Sequence, residues 1–173
     1  MRQPVSRSVV SDIAPTGAEA CPACGTRAVG RAGCQALFDE LGALAWSDPR
    51  CAAVHNLAVD TYAMQHPEEY CKSAKSYAAH LTGLCCALEF GGEPNLYWAI
   101  PRWLDGTVQL DKPAVLPARG TMTVADVHAA AGGDAYVERV RAWAGDVWKA
   151  YATQQELARA WMQAAIAGGR GRR

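Results

Sequence analysis

The sequence predicts an all-α fold: a compact bundle of about five helices, with an N-terminal zinc knuckle and one irregular Pro-rich loop. In several long segments, apolar residues recur at steps of three and four, the spacing of a buried helix face. Glycine and proline residues separate these segments. The stretch 105–120 lacks the pattern and contains Pro113 and Pro117, which predicts an irregular loop or a short hairpin.

The helices are expected in a defined order along the chain. The first begins near Cys34, and Asp48 with Pro49 marks the start of the second. Thr123 and Asp126 form a capping-box pattern that predicts a further short helix. The longer segments after Cys34 are predicted at about 49–64, 69–89, 95–104 and 134–167.

A length of 173 residues favours one domain. Residues 1–20 mix Ser, Pro, Gly and Thr without periodicity, which predicts a flexible N-terminal arm. Residues 21–167 are expected to form a single helical domain with the zinc knuckle at 21–34. Residues 168–173 are expected to form a disordered basic tail.

Composition excludes some classes of function. Half of the residues are apolar and the formal net charge is +0, so a core can form and general binding to nucleic acid is not expected. Neither a membrane-spanning stretch nor the apolar block of a signal peptide is recognisable, which predicts a cytoplasmic protein without membrane contact. Its seven cysteines are then expected to stay reduced.

The sequence Cys21-Pro22-Ala23-Cys24-Gly25 indicates a metal site. Two thiolates three positions apart on a tight turn can bind one ion, and soft sulfur ligands favour Zn²⁺ or an iron–sulfur cluster. A redox-active pair is the competing interpretation. It would require a preceding strand and a following helix, whereas the flanks here are polar and Gly-rich.

A structural zinc ion needs two more ligands. Cys34 is the favoured third, because it lies at the start of a predicted helix, where the helix dipole stabilises a thiolate. His55 on the second helix is the favoured fourth, and Cys51 is its alternative. Both favoured residues have an alternative role in packing. Cys34 could be a buried thiol under the first helix, and His55 could be a core histidine that is hydrogen-bonded to a backbone carbonyl.

The segment 54–67 contains an unusual set of polar side chains. His55, Tyr62 and His66 are spaced to lie near one helix face, while Asp60 is rotated away. The next helix contributes His80. We treat Asp60, Tyr62, His66 and His80 as candidate catalytic residues for acid–base work or a second metal site. Helix capping by His66 and a buried polar network around His80 are the alternatives.

Several segments resemble a family of uncharacterised bacterial proteins, a domain-of-unknown-function family. The resemblance covers most of the chain after residue 20 and implies no particular activity. In the family pattern, histidines follow the final W-x-x-Y/W segment, where Gln154 and Gln155 stand here. The matching segments are CPACG, Cys34, VHNLAVDTYAMQHP, KSYAAHLTGL, GTMTVADV and VRAWAGDVWKAY.

Three functions are compatible with these features. The first is a small metalloenzyme in which a Cys/His zinc site acts on a small-molecule ligand. The second is an interaction module whose zinc is purely structural. The third is a thiol-based redox or metal sensor that uses Cys21, Cys24, Cys51 or Cys71. Substrate, partner and oligomeric state are not predicted.

Overall fold

The fold is known from a computed structural model that describes residues 19–27, 30–130 and 132–170. The described part is all-α, as predicted, and one isolated antiparallel bridge joins Ala20 to Arg27. Six of the nine described α-helices have seven residues or more. The helices are α1 (Gly30–Ser47), α2 (Pro49–Ala53), α3 (His55–Gln65), α4 (Pro67–Tyr70), α5 (Ala74–Glu89), α6 (Pro94–Leu104), α7 (Val124–His128), α8 (Gly133–Ala150) and α9 (Gln155–Arg170).

Three of the predicted long helices are interrupted. The second breaks at Val54, whose backbone angles (φ −111°, ψ 8°) separate α2 from α3. The third is divided into α4 and α5, and Ser73 caps α5 through a reciprocal bond with Ser76. The last turns at Tyr151 through one 3₁₀ turn, and the Tyr151 hydroxyl donates in the core to the carbonyl of Met64, 2.7 Å away.

The chain termini are described only in part. Residues 1–18 of the expected N-terminal arm, and residues 171–173 of the expected tail, lie outside the described residues. Helix α9 extends to Arg170, which is within the range predicted as a basic tail. The irregular loop is observed as predicted, since residues 107–120 contain neither helix nor strand. None of the described helices has the length and apolar character needed to cross a membrane.

Helix α3 lies in the middle of the molecule and positions the candidate site. It packs against α5 on one side and α8 on the other, and it also contacts α1. Helices α6 and α9 cover α5, while α7 packs between α1 and α8. Eight of the eleven residues of α3 are buried, so the polar side chains of this helix must find partners inside the protein.

Gln65 shows how the buried polar groups of α3 are satisfied. Its amide nitrogen donates to the carbonyls of Arg119 and Met122, at 3.0 and 2.8 Å, and its amide oxygen accepts from Nε1 of Trp143 at 3.0 Å. One side chain therefore joins α3 to the irregular loop and to α8. Trp143 is the largest fully buried side chain of the described core.

We expect Gln65→Leu to lower the free energy of unfolding by about 2–4 kcal/mol, because it leaves the Trp143 indole and two loop carbonyls without partners. Urea unfolding of the zinc-loaded protein measures the change. Gln163→Leu, at an exposed position on α9, is the matched control and should change stability by less than about 0.5 kcal/mol. Equal stabilities of the two variants would contradict the prediction.

Candidate metal centre

The knuckle is a tight turn closed by backbone hydrogen bonds. The amide of Gly25 donates to the carbonyl of Cys21 at 2.8 Å, and the amide of Cys21 donates to the carbonyl of Thr26 at 2.8 Å. Gly25 has φ of 78°, a conformation that favours glycine. The turn holds Cys21 and Cys24 close together and aims their sulfurs toward the helical domain.

Two helices complete a group of four donor atoms. Cys34 projects from the first turns of α1, and His66 caps the C-terminal end of α3. The ligand atoms of Cys21, Cys24, Cys34 and His66 all lie within 4.8 Å of one another, so the group can hold a metal ion. Three of the four residues are buried and Cys24 is partly exposed.

The orientation of the His66 ring is fixed by its second nitrogen. Nδ1 donates to the carbonyl of Tyr62 at 2.7 Å, which leaves the lone pair on Nε2. Nε2 lies 3.6 Å from Sγ of Cys21 and 3.5 Å from Sγ of Cys34. A metal-binding histidine is usually held in this way, with the outer nitrogen bonded to a carbonyl or carboxylate.

The hydrogen bond between Cys24 and Cys34 shifts the pKa values of the two thiols in opposite directions, and this bond and burial raise the pKa of Cys34. A hydrogen bond from Cys34, with smaller contributions from His66 and Thr26, lowers the pKa of the Cys24 thiol, although burial opposes this effect. The hydroxyl of Tyr62 lies 3.5 Å from Sγ of Cys34 and accepts a 2.6 Å bond from Arg31. Burial raises the pKa of Tyr62, so its hydroxyl keeps a proton that it can donate to the sulfur or to Oε1 of Gln35, 3.4 Å away.

The profile of one protein family, described as a family of unknown function (DUF5946), matches residues 19–152. The chain belongs to the DUF5946 family. The match confirms the expected membership of an uncharacterised family and covers all four donor residues. Neither a curated protein nor a solved structure matches the chain. The DUF5946 match ends before α9, which completes the packing around α5 and α6.

The histidine in the donor group is His66 and not His55, which the sequence analysis favours. His55 lies at the opposite end of α3, eleven residues earlier and therefore about 16 Å away along the helix axis. Cys51, the alternative fourth ligand, is buried in α2 outside the group. The tertiary structure brings His66 to the three sulfurs. The spacing of residues along the sequence does not reveal this contact.

The proposed catalytic set divides into two parts. Tyr62 and His66 lie at the sulfur group, whereas Asp60 and His80 form a separate pair, with Oδ1 of Asp60 2.9 Å from Nδ1 of His80. Asp60 and Tyr62 are two residues apart, which places them about 160° apart around the axis of α3 and therefore on opposite faces. Burial raises the pKa of Asp60 to about 6, and the hydrogen bond with His80 opposes the rise.

Gly83 makes room for the Asp60–His80 pair, and its role is not predicted from the sequence. It faces Asp60 from α5, and a Cβ at this position would lie 2.0 Å from Oδ2 of Asp60. The carboxylate can therefore reach His80 only because residue 83 has no side chain. A glycine inside an otherwise regular predicted helix was the available signal.

The remaining cysteines lie away from the donor group. Cys51, Cys71, Cys85 and Cys86 are buried. Burial raises the pKa of Cys71 and of Cys85 to about 12, and that of Cys86 to about 11. Protonated, buried thiols are poor nucleophiles, so burial disfavours these three cysteines as reactive thiols.

We expect Tyr62→Phe to weaken metal binding at this group by roughly 10- to 100-fold without changing the number of ions bound, because Sγ of Cys34 loses a hydrogen-bond partner. Competition with a chromophoric chelator measures the affinity. Tyr70→Phe is the matched control, since Tyr70 bonds to Gln35 in the same network but not to a sulfur. Equal affinities of the two variants would show that the Tyr62 hydroxyl does not support the site.

Asp60→Asn removes a carboxyl group whose pKa is raised from 3.8 to about 6 on folding. The folded state holds this proton more tightly, so the group's stabilising contribution is complete below pH ~4 and is lost as pH rises through ~6. We therefore expect the variant to be more stable than wild type above pH ~6, by up to about 3 kcal/mol. The difference should vanish below pH ~4.

Unfolding of both proteins in urea across this pH range tests the prediction. Subtracting the two stability curves removes the pH dependence of metal binding, which both chains share. Asp39→Asn, at an exposed carboxylate on α1, is the control and should give a flat difference. A wild-type protein that gains stability over Asp60→Asn as pH rises would contradict the sign.

Proposed function

We propose that this protein binds one zinc ion through Cys21, Cys24, Cys34 and His66, and that the ion is structural. The ion would fix the N-terminal knuckle to α1 and α3. Three thiolates and one imidazole form a donor set that zinc commonly occupies in structural sites. Such a site requires reduced thiols, which agrees with the cytoplasmic location that we also propose.

The spacing of the donor atoms carries this proposal. Tetrahedral zinc with Zn–S of about 2.3 Å and Zn–N of about 2.0–2.1 Å separates sulfur from nitrogen by about 3.5 Å, and two sulfurs by about 3.8 Å. The two S···N distances at His66 are 3.6 and 3.5 Å, and Cys24 and Cys34 are separated by 3.6 Å between sulfurs. Three of the six donor distances therefore match tetrahedral zinc, and the other three are no longer than 4.8 Å.

Four protein ligands favour a structural role over a catalytic one. Catalytic zinc keeps one coordination position for water or substrate, whereas structural zinc is fully ligated by the protein. Here His66 supplies the fourth donor, and Tyr62 contacts a sulfur instead of an open coordination position. The metalloenzyme hypothesis, in which His66 and Tyr62 act on a substrate at the ion, is therefore less well supported.

The knuckle also shapes a surface where the protein can bind another molecule. Its residues Pro22 and Ala23 form one wall of a cleft of about 350 Å³, which His66 and Pro117 also line. The four charged residues of the cleft are paired, Arg31 with Glu69 and Arg119 with Glu68. Loss of zinc would release one wall of this cleft, which favours a zinc-dependent interaction module.

Metal analysis of purified variants tests the proposal. We expect one zinc per wild-type chain, and X-ray absorption at the zinc edge should show three sulfurs and one nitrogen. Cys34→Ser and His66→Ala should lose most of the bound zinc, because each removes one donor. His55→Ala is the matched control and should retain it, since His55 lies at the other end of α3.

Removal of zinc by a chelator should lower the unfolding temperature and expose the knuckle to protease before the helices. Two results would overturn the proposal. One is full zinc content in His66→Ala together with loss in His55→Ala. The other is an absorption spectrum of the wild-type protein that shows a bound water in place of a fourth protein ligand.

A further inference from the structure

A groove on the other side of α3 contains the Asp60–His80 pair. One cavity of about 170 Å³ is lined by residues of α3, α5 and α6, among them Asp60 and His80. A neighbouring cavity of about 550 Å³ is lined by residues of α2, α3 and α6 together with Gly92. The two share Asn56, Tyr97 and Pro101 as lining residues, so they form one continuous groove.

The pair has the arrangement of a positioned general base. Nδ1 of His80 donates to the buried carboxylate of Asp60, so the lone pair of the imidazole is on Nε2. Among the described residues, Nε2 has no hydrogen-bond partner, and the His80 side chain is 23% exposed. A carboxylate that holds an imidazole in this way fixes its tautomer and stabilises the imidazolium formed on proton transfer.

The carboxylate of Asp60 is more deeply buried than a surface ion pair requires. It is buried against Gly83, where a methyl group would lie 2.0 Å from Oδ2. Burying a carboxylate costs free energy unless it is paired, and the pairing here reaches only one of the two imidazole nitrogens. The outer nitrogen, Nε2, belongs to a side chain that lines the groove, where it can accept a hydrogen bond from a ligand.

The remaining walls of the groove define the kind of ligand. Apart from Asp60 and His80, its lining side chains carry no charge. Tyr97 and Trp98 lie side by side on α6, and Trp98 is 64% exposed although it is large and apolar. An exposed aromatic side chain beside a neutral groove is a surface on which a flat molecule can stack.

We propose that this groove binds a neutral, flat organic molecule with a weakly acidic hydroxyl group, of the phenol class, and that Nε2 of His80 accepts the hydroxyl proton. The O–H bond of the ligand breaks, its electron pair stays on oxygen, and the proton forms a bond to Nε2. Asp60 acts as a positioning residue that compensates the charge of the resulting imidazolium. The site shares no residue with the zinc group.

p-Nitrophenol is a suitable probe, because it is flat and its phenolate has a distinct absorbance. Between pH ~6 and the pKa of the free probe, where Asp60 is mostly ionised and the probe is mostly neutral, we expect a saturable increase in phenolate absorbance on titration with the zinc-loaded wild-type protein. His80→Gln should abolish the increase. His128→Gln, which changes a partly exposed histidine on α7 that pairs with Glu40, is the matched control and should preserve it.

The Asp60→Asn variant tests whether Asp60 positions His80 and compensates its charge or only packs against it. The variant should still bind the probe, as measured by equilibrium dialysis, but the ionised fraction at saturation should fall at least about tenfold. Trp98→Ala should weaken binding of both p-nitrophenol and p-nitroanisole, which has no proton to give. Zinc content and circular dichroism are measured on each variant, so failure of the zinc proposal is recognised separately.

Three results would overturn the inference. The first is the lack of a saturable absorbance change with the wild-type protein. The second is an unchanged response in His80→Gln. The third is an Asp60→Asn variant, with native circular dichroism, that ionises the bound probe as completely as wild type does.

Discussion

The hydrogen bond from Nδ1 of His66 to the carbonyl of Tyr62 determines the geometry of the donor group. It fixes the ring at the end of α3 and directs Nε2 toward the sulfurs of Cys21 and Cys34. The same carbonyl also accepts the backbone amide of His66 at 3.1 Å, and before Pro67 this residue leaves helical geometry (φ −126°, ψ 48°). A terminal residue of α3 therefore reaches a turn more than forty positions earlier in the chain.

Each face of α3 serves a different part of the molecule. Tyr62 and His66 face the sulfur group, Asp60 faces α5, and Gln65 joins α8 to the irregular loop. A helix surrounded in this way has few exposed residues, Asn56 among them, and its buried polar residues are held by internal partners. The unusual composition of this segment, which the sequence reveals at once, is a consequence of its central position.

Local patterns predicted the helical class, the irregular loop and the start signals at Asp48 and Thr123, because these depend on nearby residues. The break at Tyr151 was missed, since it follows from a long-range bond to Met64. The choice between His55 and His66 was beyond the sequence for the same reason. Both lie on one face of a helix, and only the packing of α1 against α3 determines which end meets Cys34.

The two polar sites on α3, the Cys/His donor group and the Asp60–His80 pair, are suited to different chemistry. Around the sulfurs, every donor is directed at one point, and a zinc ion there would have a complete shell. At Asp60 and His80, the inner nitrogen is bonded and the outer nitrogen is left for a ligand. A fully ligated metal site stabilises the fold, whereas a histidine with a free nitrogen can take part in proton transfer. Under the two proposals, proton transfer would take place in the groove between α3, α5 and α6, while a metal ion would bind at the knuckle.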